Sequence, residues 1–206
     1  MSKVAIMKES APTMRYSAAV ICLHWLMAVA LLLMLCSGFA MANLESLPQA
    51  LKFKVYQWHK SLGVLLLLAV VARIGARWWF SAPSLPAHFR PFEVRLARLG
   101  HCALYGFMLT MPLTGWLMVS SSVYGLPTIV FGWFEWPHLP AVTGNQSAHD
   151  LAAWAHALCA IAFSVTVLAH VGAVVKHARV DGTHLLRRMW FTRRSLHPPT
   201  RKGPMP

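Results

Sequence analysis

The chain has 206 residues, of which 57% are hydrophobic and only 12% charged, with a mean hydropathy of +0.51. A soluble globule of this size could not cover so much apolar surface, so lipid is the implied solvent. The net charge of +13 suggests nucleic acid only until the charges are placed along the chain, where they follow a membrane topology instead.

Four spanning helices are predicted, near 18–42, 55–76, 99–120 and 151–175, each about the 20 residues needed to cross the hydrocarbon core. The expected fold is an all-α, integral membrane four-helix bundle. Residues 1–17 form an arm before it, 18–176 the transmembrane domain and 177–206 a basic tail. No internal repeat or low-complexity tract is present.

The first helix follows Lys3, Lys8 and Arg15 and carries His24. Its basic arm, apolar run and Ala40-Met41-Ala42 imitate a cleaved signal sequence. The run from Ala18 to Ala42 is about twice the length of a signal core, which marks a retained helix. Lys52, Lys54 and Lys60 then flank His59 at the start of the second helix. Arg73 and Arg77, four apart near the end of that helix, suit either a cofactor carboxylate or lipid phosphate. The third helix opens beside His101 and contains Pro112, which removes a backbone donor. His101 could touch a cofactor carboxylate or a quinone, or simply lie at the interface. Between Ser121 and Asp150 runs an aromatic loop, too short and too punctuated to span, with the composition of an interfacial cap.

The fourth helix holds the most telling spacing, His156 and His170, fourteen residues apart in an uncharged apolar run. Fourteen residues turn through about 1400°, roughly 40° short of four turns, and rise about 21 Å. Both imidazoles therefore face one way at opposite ends of a membrane-length helix. Intramembrane histidines are costly and usually functional.

Sixteen of the nineteen Lys and Arg residues fall in three stretches: the N-terminal arm, the second connection (with Arg90, Arg95 and Arg98) and the tail from Lys176 to Lys202. With four spans those stretches share one side, so both termini are predicted to be cytoplasmic in a multi-pass membrane protein. The basic excess serves topology and attraction to anionic lipid, and no nucleic-acid partner is expected. Alternating helix direction then sets depth: His24 and His170 lie inward, His59 and His156 outward. Pairing by depth joins His24 with His170 and His59 with His156, enough for two six-coordinate b haems. No CxxCH is present for covalent attachment. Gly63, Ala155, Ala157 and Ala169 are small residues that would let a flat macrocycle approach. Cys22, Cys36, Cys102 and Cys159 form no CxxC pair and read as small buried apolar residues. His88, His138, His149, His177, His184 and His197 lie in loops, at a helix start or in the tail, and no second metal site is expected.

The strings HWLMA at His24, WHKSLG at His59, RLGHCALYGFMLTMPLTGW around Pro112 and WAHALCAIAFSVTVLAH, followed by DGTHLLRRM, resemble the bacterial cytochrome b561 family over about 15–190. The resemblance implies a four-helix dihaem b cytochrome of the bacterial inner membrane with His24, His59, His156 and His170 as the axial iron ligands. Its closest activity is that of the superoxide oxidase branch, an oxidoreductase that passes electrons from periplasmic superoxide to ubiquinone. Both ends are somewhat longer here than in that compact branch. Arg73 is the residue expected to meet a haem propionate, and Lys52, Lys54 and Lys60 would steer a small anion to the outer haem. The alternative function is a haem b membrane-anchor subunit for a hydrogenase, dehydrogenase or other periplasmic redox protein.

Overall fold

A computed structural model describes residues 15–43, 48–79, 89–183 and 185–191. Lys3, Lys8, His88, His184, His197 and the end of the tail lie outside the described residues. Four long helices dominate: α1 (Ala18–Asn43), α2 (Gln49–Trp79), α3 (Pro91–Ser121) and α4 (Gln146–Arg179). All four are long and apolar enough to cross a membrane. They extend past the predicted spans because polar and basic turns continue each helix beyond its apolar stretch. Lys52 and Lys54, for example, lie within α2.

The helix ends follow local chemistry. Pro91 occupies the first turn of α3, where its missing donor costs nothing, and the Glu93 carboxylate accepts from Arg90 N at 3.1 Å. Asn145 caps α4 by accepting from Ala148 N at 3.0 Å. Outward faces are apolar throughout, as a lipid-facing bundle requires: Leu32, Phe39, Leu68, Leu158 and Ile161 are all exposed. Cys22, Cys36 and Cys102 face outward as well. Their burial is in lipid rather than in protein.

Helix α4 packs along α3, α1 along α2, and α2 against α3. The centre of the bundle is Met27, Leu66, Val70, Met108 and Phe163. Phe163 stacks on Phe107 with ring centres 5.8 Å apart. Seven residues separate it from each of His156 and His170, so this apolar layer lies midway between the two histidines of α4.

The aromatic loop is more ordered than its composition announces. Thr128–Val130 (β1) and Phe134–Trp136 (β2) form an antiparallel hairpin with Ile129 opposite Glu135. Its turn uses positive φ at Phe131 (49°) and Gly132 (80°). The hairpin is fastened to α2: Ser61 Oγ accepts from Phe131 N at 3.0 Å, while Lys60 Nζ donates to Pro127 O at 2.8 Å. Trp116 Nε1 donates to Pro137 O at 2.8 Å, fixing the far side of the loop to α3.

Tyr16 and Arg188, near the two limits of the described residues, meet at the opposite end, where Tyr16 N donates to Arg188 O at 3.4 Å. Leu185–Met189 forms a short 3-10 turn, and Trp25 Nε1 donates to Met189 O at 2.7 Å. Nearby, Lys176 Nζ bridges Glu93 (3.2 Å) and Asp181 (2.8 Å), and His177 lies 2.5 Å from Asp181. Although Glu93, His177 and Asp181 cluster closely enough for a metal, the Lys176 ammonium already supplies the cation there. The group clasps the end of α4 to the start of α3.

Candidate haem site

At the hairpin end the rings of His59 and His156 stand 6.5 Å apart, with planes at 72°. Two imidazoles sharing one metal through bonds of about 2 Å, with roughly 1.2 Å more from each nitrogen to its ring centre, lie about 6.4 Å apart. The observed separation matches that expected of two imidazoles on opposite sides of one metal.

Hydrogen bonds fix which nitrogen of each ring is free. Ser37 Oγ donates to Met34 O at 3.0 Å, so at 2.8 Å it accepts from His59 Nδ1. On α3, His156 Nδ1 lies 3.1 Å from Met111 O, a group that can only accept, and 3.0 Å from Thr114 Oγ1. The Thr114 hydroxyl proton is directed to the Thr110 and Met111 carbonyls, both at 2.9 Å. Both histidines thus carry the Nδ1 proton and present Nε2 lone pairs, the tautomer of an imidazole ligand with an oriented outer shell.

Space is provided by glycine at two positions. A Cβ on Gly115 would lie 3.2 Å from His156 Cε1, and one on Gly38 3.5 Å from His59 Cε1. Neither was singled out in the sequence, where Gly63, Ala155, Ala157 and Ala169 were. Gly63 instead faces Met34, while Ala157 and Ala169 point outward. The signal for Gly115, Thr114 and Pro112 was their joint occurrence in MPLTG at the depth of His156. One proline-interrupted turn supplies a carbonyl, a hydroxyl and a gap to the same ring.

The end nearer the termini is arranged differently. His24, Arg73, His101 and His170 converge there from all four helices. Arg73 donates to His24 Nδ1 at 3.1 Å, which leaves the His24 proton on Nε2. For His24 to bind iron through Nε2, Arg73 must release Nδ1. The ring packed against His170 is His101, with centres 5.5 Å apart, closer than two ligands on opposite sides of one metal would lie. His101 Nδ1 donates to Ala97 O at 2.6 Å. Arg73 also lies 5.9 Å over the Tyr105 ring, and its second terminal nitrogen is buried without a partner among the described residues. A buried, unpaired guanidinium donor beside imidazoles is suited to a carboxylate such as a haem propionate. Arg77, by contrast, is exposed.

One histidine pair facing across two helices that are not close packing partners, α2 and α4, and a second histidine cluster at the other end of the same apolar bundle define a class: a membrane helix bundle with the donor set of a haem protein. The sequence profile of the family described as prokaryotic cytochrome b561 matches residues 15–192. The chain is also 33% identical over 177 residues to cytochrome b561 homolog 2 of Escherichia coli (strain K12), covering 85% of this chain and 90% of that relative. The chain belongs to the prokaryotic cytochrome b561 family, multi-pass membrane proteins that bind haem b and carry electrons.

Proposed function

We propose that this cytochrome takes single electrons from superoxide and delivers them in pairs to ubiquinone. Two superoxide ions, one quinone and two protons give two dioxygen molecules and one quinol. In this reading 18–176 is the haem-bearing domain, with 1–17 as an arm and 177–206 as a tail. The hairpin end faces the periplasm of the inner membrane and both termini face the cytoplasm, a topology supported by the Lys and Arg distribution.

Haem supplies the one-electron carrier; the protein sets ligation, distance and dielectric. His59 and His156 hold one haem b by Nε2, oriented by Ser37, Thr114 and the Met111 carbonyl. His24 and His170 hold the second, with Arg73 moving from His24 Nδ1 to a propionate. The central apolar layer separates the two histidine levels.

The observation that carries this reading is the 6.5 Å imidazole pair with both Nδ1 protons spoken for. A pyridine haemochrome count near two per chain, with all haem removed by acid–acetone, tests the cofactor assignment. Addition of superoxide to the purified protein should reduce the haems, and ubiquinone should reoxidise them. Haems that ignore superoxide but accept electrons from a periplasmic redox protein would instead establish the membrane-anchor role.

A further inference from the structure

Four consecutive carbonyls tie the segment after α4 to the start of α1. Arg187 O accepts from Arg15 Nε at 3.3 Å and from its Nη2 at 3.2 Å. Arg188 O accepts from Tyr16 N at 3.4 Å, Met189 O from Trp25 Nε1 at 2.7 Å, and Trp190 O from Arg15 Nη2. The last carbonyls of the 3-10 turn at Leu185–Met189 have no partner further along that turn, and a guanidinium and an indole take its place. Trp25 carries the contact inward. Its ring meets Trp190 at 5.5 Å and His24 at 5.4 Å, both close to perpendicular. A hydrogen bond from the indole edge and two packed rings together restrain both of its side-chain torsions.

His24 differs here from the two histidines at the hairpin end. His59 Nδ1 has Ser37 and His156 Nδ1 has Met111 O, acceptors that stay in place when Nε2 takes a metal. His24 Nδ1 has Arg73, a donor that must leave before His24 can bind iron through Nε2. Trp25 bounds the His24 ring whether or not Arg73 is there. Resting on the assignment of His24 and His170 to the second haem, we infer that residues 187–190 act through Trp25 as a clasp that sets the plane of the His24 ring, and with it the ligand geometry of that haem. Trp25 is a positioning residue in this scheme, and Arg15 is the fastening that keeps the clasp closed.

The test is electron paramagnetic resonance of the oxidised, haem-loaded full chain. The largest g value of a low-spin ferric haem follows the angle between its two imidazole planes, so each haem reports its own ligands. Trp25→Phe keeps an aromatic ring beside His24 and removes the Nε1 donor. Arg15→Gln with Trp190→Ala opens the clasp from the tail side and leaves Trp25 and His24 in place. Either change should shift the largest g value of the haem at His170 and release that haem to apomyoglobin several-fold faster, the scale of one net hydrogen bond. The signal of the haem at His59 should stay as in wild type, which also reports that each variant is folded. Because both changes act through one contact, the triple variant should add little to either alone. An inner signal that neither change moves, one that moves together with the outer signal, or shifts that add in full would overturn the clasp. His24→Ala separates this result from the ligand assignment. If it removes one haem while the clasp variants leave that haem's signal unmoved, the ligation stands and only the clasp falls. If it leaves two haems per chain, the ligation itself falls.

Discussion

Single hydrogen bonds tune the two ends of this protein in opposite directions. Ser37 and Thr114 accept the Nδ1 protons of His59 and His156, which in the proposed haem pairing would give each ring partial imidazolate character and favour oxidised iron. Ser37→Ala and Thr114→Val should therefore keep a low-spin spectrum but raise the potential of the haem at His59. A tenfold change in relative stability of the two oxidation states moves a one-electron couple by about 59 mV, which bounds the shift expected of either variant. Arg73 acts with the other sign. Its fixed charge favours the electron-rich form, so Arg73→Gln should lower the potential of the haem at His170. Redox titration resolves the two haems, and a shift of the same sign in both sets would refute this division of roles. Gly115→Val belongs with these changes: a branched side chain where even a Cβ lies 3.2 Å from His156 should remove that haem altogether, seen as the loss of one haem per chain.

The elements that hold these residues differ in how plainly the sequence announces them. Helices α1 to α4 were legible because apolar runs of membrane length have few other uses, and their histidines stood out because ionisable groups are rare in such runs. The hairpin was not. Its strands are three residues long, and its register depends on Ser61 and Lys60, which belong to a helix some seventy residues earlier. Ser61→Ala would leave Phe131 N unpaired at a fully buried position, a cost of about 1–3 kcal/mol falling on the hairpin alone. Hydrogen exchange at Ile129 to Trp133 should accelerate, while exchange in the middle of α2 should not. At the opposite end, the Lys176 ammonium holds the Asp181 carboxyl below the usual carboxylate range, aided by His177. A depressed folded value means the contact stabilises above the ordinary carboxylate pKa and is lost as pH falls through the folded one. Glu93, the α3 partner of Lys176, is held low as well, so acid should loosen the contact between the end of α4 and the start of α3, and Asp181→Asn combined with Glu93→Gln should abolish that acid dependence, as followed by thermal unfolding between pH 6 and about pH 2.

At the scale of the whole molecule, the proposed function needs two histidine levels separated by an apolar layer to conduct electrons and a charge distribution that differs between the two ends. This asymmetry was readable in the sequence, since it needs only a count of Lys and Arg on alternate sides. The role of each lysine was not, because that depends on contacts formed across the loop. Lys60 is drawn to Pro127 O and serves as a strut. Lys52 and Lys54, on the first turns of α2, add their charges to that of Lys60 in the field at the hairpin end and are not tied to the loop. If superoxide is steered there, Lys52→Gln with Lys54→Gln should lower the second-order rate of haem reduction several-fold while leaving haem content and both potentials unchanged. Exposed charges are screened over about 8–10 Å near physiological ionic strength, so added salt should slow the wild type more than the double variant. Stopped-flow reduction across a salt series separates the outcomes. Converging rates at high salt support steering by these two lysines. Parallel rates at every ionic strength would confine them to anchoring α2 at the headgroups and would favour a protein donor over a small anion.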